Sequence, residues 1–225
     1  MNASSFLDTA VWARTRERTR SLAVARCDLA LNQFCALVLL LLASPLMASV
    51  AFLIWATDRK SVLYAHYRVG IDGRLFRCLK FRTMVPDSER MLSELLAADP
   101  AAREQWRRDQ KLARDPRITP IGRLLRRTSL DELPQLINVL RGEMNLVGPR
   151  PITVAELERY GHLRWHYLCV RPGITGLWQV SGRNNTTYEE RVALDRRYIE
   201  ARSFWRDLAI LCRTAVVVVT RDGAR

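Results

Sequence analysis

An acidic pair surrounded by arginines is the part of this sequence best suited to chemistry. Asp131 and Glu132 lie within residues 126–151, between an arginine cluster and a second basic turn centred on Arg150. Two adjacent carboxylates can hold a divalent cation or supply a nucleophile, while guanidinium groups neutralise an anionic substrate and the charge that develops on it. The arrangement therefore indicates phosphate chemistry. The arginines before the pair are Arg123, Arg126 and Arg127.

Helix capping is the structural alternative for the acidic pair. Ser129 with Glu132 three residues later fits a capping box, but Pro134 would then fall where its missing N–H is needed inside the helix. A cap at Asp131 places Pro134 in the tolerated first turn, yet it denies the capping carboxylate one of its usual donors. The following residues predict a helix that ends near Gly142, and the amino end of that helix suits a phosphate. The residues alone leave both interpretations open.

Two further basic segments are candidates for the same anion. Lys80 and Arg82 alternate with apolar residues, so on a strand the two cations would share one face. The alternative is that Lys80 and Arg82 are solvent-exposed charges on a strand and bind nothing. Arg150 stands between two prolines in a rigid turn, which reduces the entropy lost when it binds an anion. The sequence has no GxGxxG or GxxxxGK[ST] pattern, so it predicts neither a dinucleotide fold nor a P-loop.

The elements that must position these residues follow from the spacing of apolar side chains. Short apolar runs on either side of residues 71–73 predict a β-hairpin. Helical spacing predicts an interfacial amphipathic helix over 156–170 and a helix over 188–202. Residues 205–220 are apolar but carry charges, which indicates a surface-lying or core-docked helix. Two more helical segments are predicted after Pro86, with a break at Asp99-Pro100.

A run without charged residues, from Leu29 to Thr57, is long enough for a bilayer. Ser44-Pro45 lies in its middle and predicts a bend, with the serine hydroxyl able to satisfy a carbonyl that the proline leaves free. Both flanks are basic, whereas a spanning helix shows an asymmetry of lysine and arginine. A single transmembrane helix remains open, but the proline and the equal flanks favour a re-entrant helix and a monotopic protein.

Composition limits the number of domains and the class of partner. The chain has 225 residues and a formal net charge of +13, which indicates one compact domain that meets an anionic partner, either nucleic acid or membrane. Its five cysteines show no CxxC pairing, so neither a disulfide framework nor a zinc site is indicated. We predict a predominantly helical α+β chain. It divides into a poorly ordered basic arm (1–28), a membrane-embedded kinked helix (29–57) and a cytosolic catalytic domain (58–225).

Several motifs together resemble those of one enzyme family. They are Ser44-Pro45, Lys80-Phe81-Arg82-Thr83-Met84, the run from Arg126 to Gln135, Val147 to Pro151, and Arg171 to Arg183. With these motifs the chain resembles the bacterial sugar transferases, which are monotopic phosphoglycosyl transferases, and among them the exopolysaccharide-type undecaprenyl-phosphate galactose or glucose phosphotransferases. Larger members carry additional spanning helices before the catalytic part, so the chain is similar to the short catalytic form.

The resemblance implies a covalent activity at the inner membrane of a bacterium, on its cytoplasmic side. Asp131 would attack the sugar-bearing phosphorus of a UDP-sugar, form a phosphosugar intermediate and pass the sugar phosphate to undecaprenyl phosphate, a polyprenyl phosphate. Glu132 would ligate Mg²⁺ (or Mn²⁺), and Arg126 would support the aspartate. Membrane lipid is an expected partner, nucleic acid is not, and a homo-oligomer fits as well. The phosphate oxygens would be held by Lys80, Arg82 and Arg150.

The competing interpretation is a membrane-anchored basic protein that binds or regulates without catalysis. A protein of this class that binds nucleic acid should show a helix-turn-helix or an aromatic platform, and neither is evident. The carboxylates among the arginines would also repel a nucleic acid backbone. The residues do not assign the sugar, because galactose and glucose differ in the configuration of one hydroxyl.

Overall fold

The computed structural model describes residues 22–109, 112, 114–182 and 186–220. Within them the chain is mostly helical and carries two small two-stranded sheets, which confirms the predominantly helical class with a small hairpin. Residues 1–21 of the predicted basic arm lie outside the described residues, as does Arg183 in the last of the quoted motifs.

Helix α1 (Leu22–Asp58) contains the whole charge-free run and starts earlier than the predicted residue 29. By length and composition it is apolar enough to cross a membrane. The helix continues through Pro45, where the Ser44 hydroxyl donates to the Leu41 carbonyl at 2.8 Å. In a regular helix the N–H of residue 45 would donate to that carbonyl, so the serine replaces the donor that proline lacks, as predicted. The re-entrant path stays a prediction.

One face of α1 packs against the remainder of the protein near both of its ends. Close to the start, Gln33 Nε2 donates to the Leu140 carbonyl at 2.8 Å. Close to the other end, Ile54 is buried in a cluster with Leu125. The opposite face is uncovered and apolar, which is typical of a surface that meets a membrane or another protein. Its exposed side chains include Leu31, Phe34, Leu41, Leu42, Phe52 and Leu53.

Strands β1 (Leu63–Val69) and β2 (Leu75–Phe81) form the predicted antiparallel hairpin. The chain reverses at Ile71–Gly73, as the sequence predicts. In the register of the hairpin, Lys80 lies opposite Tyr64, near the open end. The hairpin thus carries Lys80 away from its turn and toward the helices.

A buried asparagine fixes the hairpin to helix α5 (Gln135–Leu140). Asn138 Oδ1 accepts from the Leu79 amide at 2.9 Å, and Asn138 Nδ2 donates to the Arg77 carbonyl at 2.8 Å. Both bonds engage strand backbone, so they fix the position of the strand along the helix. Because α5 closely follows the acidic pair, this contact brings Lys80 beside that pair.

Helix α4 (Pro120–Thr128) carries the arginine cluster and ends just before the acidic pair. The Thr119 side chain caps its amino end, and Ser129 terminates it in the left-handed conformation with φ 57. The acidic pair then lies on a single 3-10 turn, Leu130–Glu132. Neither Ser129 nor Asp131 makes a capping hydrogen bond to the next helix. The capping interpretation is therefore wrong, because the chain inserts this turn before α5.

Helices α2 (Ser88–Ala98) and α3 (Pro100–Asp109) lie between the hairpin and α4, and they break at Asp99 as predicted. After α5, Gly142 has φ 73, which fits its predicted place beyond the carboxyl end of that helix.

A second sheet presents the Arg150 turn. Strands β3 (Asn145–Val147) and β4 (Gly173–Thr175) pair in parallel, and the chain turns directly after β3. A Cβ on Gly173 would lie 2.1 Å from the Gly148 nitrogen, so only glycine allows the two strands to approach this closely. Arg150 follows on the backbone that this contact fixes.

The predicted interfacial helix over residues 156–170 is wrong. Gly161, with φ 53, interrupts the segment. Tyr160 and Tyr167 on either side of it are buried, with their ring centroids 5.5 Å apart. The segment therefore packs into the domain and does not lie on its surface as one helix. Its parts are α6 (Val154–Glu158), a 3-10 turn (Gly161–Leu163) and α7 (Arg164–Leu168).

Helices α8 (Tyr188–Glu200) and α9 (Phe204–Thr220) agree with the predicted helical segments. Ile210 on α9 is buried in the main core, whereas Trp205 on the same helix is 76 % exposed. Helix α9 is thus docked on one face and open on the other.

Candidate active site

One lysine contacts both members of the acidic pair. Lys80 Nζ lies 2.5 Å from Glu132 Oε1 and 3.7 Å from Asp131 Oδ2. The two carboxylates differ in exposure, because Asp131 is buried and Glu132 is half-buried. Asp131 therefore offers a carboxylate shielded from water and Glu132 a more exposed one, and Lys80 contacts both.

Burial sets the protonation behaviour of Asp131. Loss of water around the carboxylate raises the pKa of Asp131, with the charge of Glu132 acting in the same direction. The charges of Lys80 and Arg126 lower that pKa and so oppose the effect. A carboxylate that is poorly solvated but held beside cations is a suitable nucleophile.

Arg126 is held in the last turn of α4 by a threonine from the hairpin side. Its Nε donates to Thr83 Oγ1 at 2.9 Å. Thr83 is itself buried, and a Cβ on Gly122 would lie 2.0 Å from the Thr83 carbonyl oxygen. The helix backbone thus rests against the residue that orients Arg126. The sequence places Arg126 beside the acidic pair, and the structure adds Thr83 as its partner.

An open pocket brings three of the predicted residues together. Lys80, Glu132 and Arg150 line it, so residues from β2, the acidic turn and the turn after β3 meet at one place. Cations opposite a carboxylate in a concave site suit an anionic substrate that also carries neutral polar groups. The remaining lining residues are Arg68, Cys78, Gln135, Pro151, Ile174 and Gln179.

Arg82 lies elsewhere. Its two terminal nitrogens donate to the two carboxylate oxygens of Asp58, at 2.5 and 2.6 Å. Strand β2 ends at Phe81, so the alternation that would place Arg82 on the face of Lys80 stops before it. The structure therefore ties Arg82 to the end of α1 and does not bring it to the pocket with Lys80.

Comparison with known proteins gives the family of the chain. A family model described as bacterial sugar transferase matches residues 25–221. The chain belongs to the bacterial sugar transferase family. The match covers α1 from residue 25 onward and includes every residue that lines the pocket.

Three relatives show what this sugar transferase is similar to. An undecaprenyl-phosphate galactose phosphotransferase of Salmonella typhimurium is 54% identical over 190 residues, which cover 84% of this chain and 40% of the relative. The UDP-glucose:undecaprenyl-phosphate glucose-1-phosphate transferase of Escherichia coli is 38% identical over 188 residues, covering 80% and 37%. The exopolysaccharide production protein ExoY of Sinorhizobium fredii is 47% identical over 189 residues, 84% of each chain. The sugar transferase thus spans about two-fifths of the length of the first two relatives.

Three polar residues of the pocket were missed by sequence reasoning. Arg68 pairs with Phe76 in the hairpin and so shares the strand face of Lys80, a relation that the hairpin register could have revealed. Gln135 directly follows Pro134 and is the last residue of the Arg126 to Gln135 motif on which the family resemblance rests. Gln179 lies in the loop after β4, where no periodic signal marks its direction.

Glu132 fits a divalent cation as a single protein ligand. Among the described residues, no group of three or more His, Cys, Asp or Glu side chains that could hold a metal ion is present. Mg²⁺ commonly takes one or two carboxylates and completes its shell with water and substrate phosphates, and Mn²⁺ prefers similar oxygen ligands. The half-buried Glu132 carboxylate at the pocket meets that need. Binding of Mg²⁺ or Mn²⁺ by Glu132 stays a prediction.

Proposed function

We propose that this sugar transferase moves a sugar 1-phosphate from a UDP-sugar to undecaprenyl phosphate, the step that initiates assembly of an exopolysaccharide. The observation that carries the proposal is the buried Asp131, 3.7 Å from Lys80, a residue that lines a pocket together with Arg68 and Arg150. The names of the relatives support galactose or glucose as the sugar.

In the first displacement, an Asp131 carboxylate oxygen attacks the sugar-bearing phosphorus. A bond forms between that oxygen and phosphorus, and the bond from phosphorus to the bridging oxygen of the diphosphate breaks. UMP leaves with the bridging oxygen and the electron pair. Lys80 and Arg150 neutralise the charge that accumulates on the phosphate oxygens. A divalent cation on Glu132, when bound, would supply further neutralisation of the diphosphate.

In the second displacement, an oxygen of undecaprenyl phosphate attacks the same phosphorus. The bond from phosphorus to Asp131 breaks, the carboxylate is restored, and undecaprenyl diphosphate sugar is released. Two displacements allow two bulky anions to use one cationic pocket in turn. Arg126, held by Thr83, keeps positive charge near Asp131 in both steps.

The long apolar helix supports a membrane location for this chemistry. The uncovered face of α1 suits lipid, and the domain attached to it carries the pocket. We place the domain at the cytoplasmic face of the inner membrane, where a soluble nucleotide sugar and a lipid-bound phosphate can both arrive.

The nucleophile is tested by trapping the intermediate. Full-length protein in detergent is incubated with UDP-galactose or UDP-glucose and Mg²⁺ in the absence of undecaprenyl phosphate. We expect release of UMP in an amount stoichiometric with the protein, and an increase in intact protein mass equal to one sugar phosphate. Asp131→Asn should show neither, because an amide oxygen is a much weaker nucleophile.

Asp87→Asn is the matched control, because Asp87 is an exposed carboxylate at the start of α2. Its mass increase should equal that of the wild type. Activity of Asp131→Asn near the wild-type level would contradict the assignment. A wild type that releases UMP from no member of a panel of nucleotide sugars would support the binding or regulatory alternative.

A further inference from the structure

Arg150 lines the pocket and makes no side-chain hydrogen bond or salt bridge among the described residues. Its guanidinium is placed by an aromatic ring, since Arg150 Cζ lies 5.5 Å from the ring centroid of Trp178. An arginine with all its donors free can take an anion without first breaking an ion pair. The stacking contact is therefore the direct side-chain contact that orients this cation among the described residues.

Packing alone does not explain why residue 178 is a tryptophan. It is 7 % exposed, and its Nε1–H finds no acceptor among the described residues. A buried donor without a partner destabilises a protein, and phenylalanine would fill space without that penalty. Tryptophan is, however, the aromatic residue that attracts a cation most strongly. The ring face gives a reason for tryptophan here that packing does not.

A second arginine holds the same ring. Arg191 Cζ lies 4.8 Å from the Trp178 centroid and 5.5 Å from the Tyr188 centroid. Arg191 is also 3.8 Å from Glu156, whose other carboxylate oxygen lies 3.1 Å from Arg68 of the pocket. Trp178 thus contacts two arginines, and the second one, Arg191, is linked through the Glu156 carboxylate to Arg68 of the pocket.

We propose that Trp178 is a positioning residue that holds the Arg150 guanidinium in the pocket for a phosphate of the nucleotide diphosphate. The identity of that ligand rests on the proposed function, whereas the coupling between the two residues does not. Trp178 itself does not line the pocket, so it acts through Arg150. Loss of the indole leaves Arg150 free to adopt rotamers that point away, and the affinity for a diphosphate falls.

A double-mutant cycle on full-length protein in detergent tests the coupling. The dissociation constant for UDP is measured by calorimetry for wild type, Trp178→Leu, Arg150→Ala and the double variant. We expect Trp178→Leu to weaken binding about 3- to 30-fold, the range of a partly desolvated cation–π contact. In the Arg150→Ala background the same change should have an effect below about twofold, because the cation it positions is gone. Trp178→Phe should retain most of the affinity.

Trp165→Leu is the matched control, because Arg164 stacks on Trp165 at 4.8 Å and neither residue lines the pocket. It should bind UDP as the wild type does.

An equal loss of UDP affinity from Trp178→Leu in both backgrounds would overturn the proposal and show a purely structural role. If Trp178→Leu does not fold, Trp178→Ala or Trp178→Val takes its place. Full affinity for UDP in either variant, once folded, would overturn the proposal. Trp178→Phe still tests whether an aromatic ring at this position retains the affinity. Coupling in UDP binding without any sugar transfer would contradict the proposed function and leave this inference intact.

Discussion

At the scale of single residues, Lys80 opposes the effect of burial on the charge state of Asp131, the proposed nucleophile. Burial raises the pKa of Asp131, and the nearby lysine charge lowers it. Removing that charge in Lys80→Met should raise the pKa further, so that the acid limb of kcat/KM for UMP release moves to higher pH. At neutral pH we expect kcat/KM to fall about 10- to 100-fold, as is typical of a lost charge-assisted contact.

Lys80→Arg is the control for this prediction, since it retains the positive charge. Its acid limb should stay near that of the wild type, although its rate can change with geometry. A Lys80→Met profile with an unchanged acid limb would show that another group governs the protonation of Asp131.

Residue types and local spacing predicted much of the site. Asp131, Glu132 and Arg150 stand out because charges cluster around rigid turns. The structure brings Glu132 and Arg150 to one pocket with Lys80, and it holds the buried Asp131 3.7 Å from that lysine. Trp178 could not be found in this way, since its contact with Arg150 depends on the packing of two loops. Arg82 resembles Lys80 in type and spacing, yet the strand ends between them.

At the scale of elements, the contact between Arg82 and Asp58 joins the end of α1 to the end of the hairpin. We expect Arg82→Met and Asp58→Asn to lower the unfolding temperature by similar amounts, because each removes the same ion pair. The unfolding temperature of the double variant should be no lower than that of the less stable single variant. The KM for the UDP-sugar should change by less than about twofold in both, as for a contact outside the pocket.

Kinetics of the two single variants decide between this role and the phosphate contact expected from the sequence. If Arg82 holds a phosphate, Arg82→Met raises the KM for the UDP-sugar while Asp58→Asn leaves it unchanged. Arg90→Met serves as the control, because Arg90 is an exposed arginine on α2 that pairs with Glu94 of the same helix.

Elements with a regular period were predicted well, and those shaped by distant contacts were not. The hairpin and α5 follow from apolar alternation and from the glycine that ends the helix. The 156–170 segment has helical spacing, but burial of Tyr160 and Tyr167 and the positive φ of Gly161 divide it. The Asn138 bonds to β2 join residues far apart in the sequence, so no local pattern contains them.

At the scale of the whole molecule, α1 and the domain with the pocket form one packed body. Gln33, in the first third of α1, is bonded to Leu140, and Asp58 at the end of α1 is bonded to Arg82. An α-helix rises about 38 Å between these two positions, whereas the hydrocarbon core of a bilayer is about 30 Å thick. A perpendicular span would separate the two ends by the whole bilayer and break one of these contacts. The packing therefore supports a path with both ends on the side of the domain.

A cysteine accessibility scan tests that path. The five native cysteines are replaced, and single cysteines are introduced as Arg26→Cys and Lys60→Cys, at exposed positions on the two flanks of α1. Glu94→Cys, on exposed helix α2, reports the side of the domain. With a membrane-impermeant maleimide, we expect all three to stay unlabelled in intact spheroplasts and to react in inverted vesicles. Both flanks should therefore behave like Glu94→Cys, since the same domain holds both ends of the helix. Labelling of one flank alone from outside would establish a spanning helix and would require the contacts of Gln33 or Asp58 to be broken in the membrane.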